Sequence, residues 1–283
     1  MRDMLQYIVL MRPFGWVKNI FVFAPIFFAG AIFDYPSLLL AASAFVVFSL
    51  VSSSVYVLND IADLEHDRNH SAKKARPIAS GRISVLNAKL FFGVLFLVAF
   101  VAAYALVPAI VPVLALYFLL NVLYSFFLKY VAVLDILLVS FFYLLRVIAG
   151  GIAASVFVSN WLLLCVTFLA LFLVVGKRKA EYREETKRKV LEAYTPAVLD
   201  VFLAMSATLI IFSYSIYTVL VLNSPLAVYS VFFVLAGVLR YMLVVYVRND
   251  AEYPEKMIFT DRFILASLFG WGIFMYIIFY HVV

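Results

Sequence analysis

Nine apolar runs separated by short polar connections fill this 283-residue chain and leave it few ways to fold. They cover roughly 18–33, 38–58, 85–107, 109–128, 132–152, 160–176, 197–222, 225–247 and 258–281. A hydrocarbon core of about 30 Å is crossed by about 20 apolar residues in a helix. Inside it only a helix or a closed barrel satisfies the backbone. Runs of this length predict an all-α integral membrane protein, a bundle of nine transmembrane helices. The first run is short, and Pro25 is placed to kink it. A mean hydropathy of +1.09 with 13% charged residues excludes an ordinary soluble domain.

Charge sorts the connections into two sets. The N-terminus, 59–84, 129–131, 177–196 and 248–257, with adjoining helix ends, hold every one of the 22 Lys and Arg except Arg146 and Arg240. The opposite set carries one acid, Asp34. By the positive-inside rule the charged set, with the N-terminus, is cytoplasmic; nine spans then put the C-terminus outside the cell membrane. Residues 1–15 read as a short interfacial helix broken at Pro13 and Gly15, with Trp16 and Lys18 as interfacial anchors. Their apolar stretch is too short and interrupted for a cleaved signal peptide. The net charge of +6 follows from this membrane asymmetry and calls for no nucleic-acid partner. Cys165 is the only cysteine, so neither disulfides nor a thiolate metal site enter the argument. Residues 1–283 read as a single transmembrane domain, and nothing in them reports an oligomeric state.

One charged stretch interrupts the grease: NDIADLEHDRNHSAKKARPIASGR, Asn59 to Arg82. If the second helix continues two more turns, Asn59, Asp60, Asp63 and Asp67 fall within an arc of roughly 100°, and Glu65 lands elsewhere. Three carboxylates and an amide on one face suit a hard divalent cation such as Mg²⁺. Mg²⁺ takes few protein ligands and completes its shell with water and substrate phosphate, so a phosphorylated partner is expected. Lys73, Lys74, Arg76 and Arg82 follow, ready to hold the phosphate oxygens that a metal leaves over. The plainer reading is a solvated helix end whose acids pair with these cations. His66 and His70 have i, i+4 spacing, but no third His or Cys accompanies them as zinc would need.

The stretch resembles the first aspartate motif of the UbiA superfamily of intramembrane prenyltransferases, NDxxDxxxD followed by a basic segment and RPxxxG. Asn59, Asp60, Asp63, Asp67, Arg76, Pro77 and Gly81 match it position by position. Most members carry a second aspartate motif in the later charged loop. Here that loop begins Gly176-Lys177-Arg178-Lys179-Ala180-Glu181, with Glu181 and Glu185 as the nearest acids at DxxxD spacing. In this departure the chain is similar to the polyprenyl-phosphate phosphoribosyltransferase branch. Further matching pieces are RPFGWVKNIFVFAP at 12–25, LYSFFLKYVAVLD at 123–135, LLRVIAGGIA at 144–153 and GKRKAE at 176–181. The resemblance implies transfer from 5-phosphoribose 1-diphosphate (phosphoribosyl diphosphate) to a polyprenyl phosphate, releasing pyrophosphate, in a polar chamber facing the cytoplasm. Asn59, Asp60, Asp63 and Asp67 would hold Mg²⁺ and pyrophosphate. Lys18, Lys73, Arg76, Lys129, Lys177 and Arg178 are candidates for the remaining phosphates. The alternative is an ordinary prenyl transfer from a prenyl diphosphate to an aromatic or glyceryl-phosphate acceptor, with Glu181 and Glu185 replacing the second acid pair. A transporter that uses the basic loops for anions would leave the aspartates without a purpose.

Five further residues need an account. Asp135 and Arg146 lie eleven residues apart on the fifth run and so share a face. A charge at such depth costs about 2.5–3.5 kcal/mol on the insertion scale, so Arg146 is expected to face the chamber or to form a structural pair. Tyr124 and Ser125, at the end of the fourth run, are placed either to hydrogen-bond a phosphate or ribose or to sit in the interfacial belt. Arg240 is near enough to its helix end to snorkel.

Overall fold

A computed structural model describes residues 2–70, 73–183, 189–222, 224–247, 257 and 260–281. Eight helices among them are long and apolar enough to cross a membrane, from Tyr35–Ala62 to Arg262–Tyr280. Local chemistry starts several of these helices. Asp34, Ser84, Ser159 and Thr195 each accept a hydrogen bond from the backbone N–H three residues on, and Pro36 and Pro196 occupy positions where a missing N–H costs nothing.

The first apolar run departs from expectation. It becomes a 3-10 segment, Pro13–Phe23, followed by one short α-helix, Ala24–Phe28. The sixth run extends further than its hydropathy suggests: its helix, Asn160–Glu181, carries Lys177 to Glu181 in its last turn, and the loop begins after them.

The chain falls into two compact units: Met1–Lys129 with Leu145–Phe157, and Tyr130–Leu144 with Val158–Val283. Helix Leu134–Ala154 contributes residues to both.

In the first unit, helix Tyr35–Ala62 is the central element, and helices Val85–Leu106 and Val111–Phe126 pack on it. Val85–Leu106 buries Ala88, Leu95, Ala99 and Ala103 and leaves Leu90, Val94, Leu97 and Val101 exposed. A stripe rich in alanine allows close backbone approach, while the apolar outer face suits lipid. A core of Leu10, Val57, Ile78, Ile83 and Ala88 ties the N-terminal helix Arg2–Met11 and the 76–83 turn to the helix ends. That turn closes through Gly81 N–H to Ile78 O (3.0 Å) and Ile83 N–H to Pro77 O (3.0 Å), with Gly81 at φ 76°. Glycine adopts this conformation without steric cost, which explains the glycine of RPxxxG.

In the second unit, helix Asn160–Glu181 packs on Pro196–Leu220, and Val231–Val247 on Arg262–His281. Arg240, near enough to its helix end to snorkel, clasps Asp261 with Nη2 at 2.8 Å. Asp261 also caps the last helix by accepting from Phe263 N–H (3.0 Å) and Ile264 N–H (3.1 Å). Bonding to Arg240 and these amides holds the Asp261 pKa below the usual carboxylate value.

Candidate active site

The helix bearing the acids does not run on unbroken. Tyr35–Ala62 ends at Asp63, and a short helix, Leu64–Asn69, restarts beyond it. Asp63 N–H still reaches Asn59 O (2.8 Å), and Asp67 N–H reaches Asp63 O (2.8 Å), so the helical spacing survives the break. Two turns apart, Asp60 and Asp67 come to one place. Each side chain is 2% exposed, and one atom serves both: Arg76 Nη1 lies 3.1 Å from Asp60 Oδ1 and 2.6 Å from Asp67 Oδ2.

Asp63 is half-buried and takes an ion pair from Lys129, while Ser125 donates to the Asn59 side-chain oxygen. The four residues expected on one face thus take different partners: Asp60 and Asp67 share Arg76, Asp63 takes Lys129, and Asn59 takes Ser125. Glu65 points to solvent, 3.3 Å from Arg68. His70 is buried, and desolvation, with Lys73 nearby, lowers its pKa.

Arg12 is the residue that sequence reasoning missed. Its Nη2 pairs with Asp60 Oδ1, and its guanidinium lies 5.2 Å from the Tyr56 ring centroid. The backbone there is left-handed, φ 53° and ψ 62°, an uncommon state for a residue other than glycine. The signal available was an arginine at a Pro-Gly break just before the first apolar run. Its partner, 48 residues away, gave no local cue.

Do these residues suit a magnesium ion? Two carboxylate oxygens already converge on one positive centre, the guanidinium nitrogen of Arg76. Oxygen donors around a cation are what Mg²⁺ takes, and it needs only one or two carboxylates when phosphate and water supply the rest. Among the described residues no group of three acids, histidines or cysteines is close enough to hold a metal unaided. The donor set thus fits a metal that arrives with phosphate.

The second unit brings the later basic motif to a buried network. Arg178 is 3% exposed; its Nε donates to Asp135 Oδ2 (2.8 Å) and its Nη1 to Glu181 Oε2 (2.6 Å). Tyr194 donates to Asp135 Oδ1 (2.8 Å) and accepts from the N–H of Val133, which is itself left-handed at φ 68°. Desolvation pushes the Tyr194 pKa up to about 12. Lys177 is half-buried, 3.9 Å from Glu181, and Lys179 pairs with Asp200. Of the two candidate phosphate cations in this motif, both pair with acids, and Lys177 is the more accessible. Glu185 lies outside the described residues.

Asp135 and Arg146, placed on one helix face by their spacing, have separate partners. Arg146, 3% exposed, donates from Nε to the Asn19 side-chain oxygen (2.7 Å) and from Nη2 to the Tyr117 hydroxyl (3.3 Å). Lys18, Lys73 and Tyr124 are half-buried.

Comparison with known proteins adds to this geometry. The sequence signature of the UbiA prenyltransferase family matches residues 19–268. The chain belongs to the UbiA family. Within it, the chain is 38% identical over 272 residues to the decaprenyl-phosphate phosphoribosyltransferase of Mycobacterium tuberculosis H37Rv, covering 92% of this chain and 89% of that one. The enzyme of the same name from Mycolicibacterium smegmatis is 39% identical over 215 residues, covering 73% and 68%. Among solved structures, a UbiA homolog from Archaeoglobus fulgidus bound to DMAPP and Mg²⁺ superposes with a TM-score of 0.76 at 18% identity, covering 96% of this chain and 99% of that one. That likeness establishes the UbiA fold and, with the eight apolar helices, a multi-pass membrane protein.

Proposed function

We propose that this UbiA-family chain transfers 5-phosphoribosyl from 5-phosphoribose 1-diphosphate to a polyprenyl phosphate and releases pyrophosphate. The observation that carries this reading is its 38% identity, over nearly the whole of both chains, to an enzyme named for that transfer. The cationic last turn at Lys177 and Arg178, where an ordinary prenyltransferase has a second acid pair, supports it.

In the reaction the bond from ribose C1 to the diphosphate oxygen breaks, and a bond from C1 to an oxygen of the acceptor phosphate forms. The acceptor is already an anion at neutral pH, so this chain has no proton to remove from it. The residues' task is to position two anions and to stabilise the charge that gathers on the leaving diphosphate. Asp60, Asp63 and Asp67, with Asn59, would hold magnesium, which supplies charge neutralisation at that diphosphate when bound. In the structure Arg12, Arg76 and Lys129 balance these acids one for one. The same three cations are within a side chain's reach of any phosphate seated on the acids. They exchange carboxylate for phosphate when the donor arrives, so the site stays near neutrality throughout. Lys18, Lys73, Tyr124 and Lys177 remain candidates for the ribose 5-phosphate and lipid phosphate. Glu181 pairs with both Lys177 and Arg178.

The nine-span topology belongs to the same proposal. A 3-10 helix rises about 2 Å per residue and an α-helix about 1.5 Å, so Pro13–Phe28 extends about 30 Å, a full hydrocarbon thickness from only 16 residues. Counting it as a span puts the N-terminus and the acid cluster on the cytoplasmic side of the cell membrane and the C-terminus outside.

A matrix of donors and acceptors, each run with and without Mg²⁺ on purified protein in lipid nanodiscs, tests the proposal. Pyrophosphate release is expected only with phosphoribosyl diphosphate, polyprenyl phosphate and Mg²⁺ together. Release driven by a prenyl diphosphate with an aromatic or glyceryl-phosphate acceptor would instead support ordinary prenyl transfer.

A further inference from the structure

The buried arginine of the first unit has a task that its position as a supposed chamber residue did not suggest. We infer that Arg146 is a positioning residue: by holding Asn19 it sets the height of the Pro13–Phe23 segment along helix Tyr35–Ala62, and so delivers Arg12 to Asp60.

The segment rides on a polar rail. Helix Tyr35–Ala62 buries Ser49, Ser52, Ser53 and Asp60 on one side. The chain of contacts climbs it in order. Asn19 Nδ2 donates to Ser49 Oγ (2.9 Å), Trp16 Nε1 to Ser53 Oγ (2.9 Å), and Ser53 Oγ to Met11 O (2.9 Å). Arg12 then reaches Asp60 at the top. Trp16, expected as an interfacial anchor, is thus one of the rungs.

Serine rungs alone fix the height poorly, because hydroxyls three or four residues apart offer nearly equivalent partners one turn up or down. Arg146 breaks that degeneracy. Its Nε has one acceptor on the segment, the Asn19 oxygen, at 2.7 Å. Its guanidinium lies 5.1 Å from the Phe48 ring and 5.2 Å from the Tyr117 ring, which pack edge to face on one side of it, and its Nη2 donates to the Tyr117 hydroxyl, so groups outside the segment fix its position. One turn further along the arginine's helix, Gly150 lets Val22 O come so close that a Cβ there would stand 1.9 Å from it. The two contacts, at Asn19 and Val22, lock the segment against helix Leu134–Ala154 at one register. Slippage matters at the other end, where Arg12 is held in the left-handed region that an arginine does not choose unaided.

This inference rests on the acid cluster being the diphosphate site, and its test uses a probe that needs no ribose. Binding of inorganic pyrophosphate with Mg²⁺ is measured by calorimetry on protein in nanodiscs for Arg12→Ala, Arg146→Gln, Asn19→Ala and the Arg12→Ala/Arg146→Gln double variant. Loss of one charge-assisted contact weakens binding about tenfold. Each single variant is expected to show that loss. Asn19→Ala cuts the same link, together with the Ser49 rung, with the arginine left in place, and so stands in if Arg146→Gln fails to fold. The double variant should also lose about tenfold, because the two residues act through one contact. A loss of about a hundredfold in the double variant, or wild-type affinity in Asn19→Ala, would overturn the inference. Normal Mg²⁺-pyrophosphate binding without phosphoribosyl transfer would sink the proposed function and leave this inference intact.

Discussion

Replacing Arg76 with alanine removes the one nitrogen that Asp60 and Asp67 share and leaves two buried carboxylates facing the same space. The side chains of both acids are 2% exposed, whereas that of Arg76 is 28% exposed. Removing one partner of a fully buried ion pair costs about 3–5 kcal/mol. Asp60 keeps Arg12, so the cost falls chiefly on Asp67 and is about 2–3 kcal/mol after allowing for the partial exposure. For a chain of this size that lowers the melting temperature by roughly 3–5 °C. The informative part is the divalent-ion dependence. Two carboxylates freed of their shared cation should accept Mg²⁺, and millimolar Mg²⁺ should recover most of the lost stability in the variant while moving the wild type far less. Thermal unfolding in nanodiscs with EDTA or with Mg²⁺ reads both effects. An Arg76→Ala protein as stable as wild type in EDTA, or one indifferent to Mg²⁺, would refute the view that these acids form one cation site.

Asp63→Asn should behave differently, because Asp63 is half-buried with Lys129 as its partner: stability changes by no more than about 1 kcal/mol, while pyrophosphate release falls by about a thousandfold. Wild-type rates in that variant would remove Asp63 from the site. Lys177→Ala is expected to raise the apparent KM for a phosphate-bearing substrate with little change in kcat; unchanged values for both substrates would take the last turn of that helix out of phosphate binding. The raised pKa of Tyr194 gives a pH signature. Its folded value, about 12, exceeds the ordinary 10.0, so its contribution is complete below pH 10 and is lost as pH rises toward 12. Tyr194→Phe should flatten that alkaline loss in urea-unfolding series, and an identical pH profile in the variant would count against it.

The parts of this protein legible in its sequence are those governed by short-range rules. Hydropathy located the long helices, because a bilayer imposes a length on every span. The Asn59–Asp67 spacing found the acids, since helical spacing carries through the break at Asp63. What the sequence does not show shares a cause: a partner distant in sequence. The partners of Asp63 and Asn59, Lys129 and Ser125, each lie 66 residues beyond them. Arg178 donates to Asp135, 43 residues earlier, a contact that its basic run does not announce. Arg146 finds Asn19 across 127 residues. The 3-10 course of Pro13–Phe23 was equally hidden: no local composition announces it, and its close approach to Gly150 at Val22 spans most of the first half of the chain.

The central claim is that the acid cluster seats a diphosphate whose ribose passes to a lipid phosphate. Mass spectrometry of the lipid recovered after incubation with phosphoribosyl diphosphate and Mg²⁺ tests it most directly. The polyprenyl phosphate should gain the mass of one 5-phosphoribosyl group, and should not when Asp60 and Asp67 are both changed to asparagine. An unaltered lipid with wild-type protein, or the same gain from the double variant, would contradict the account.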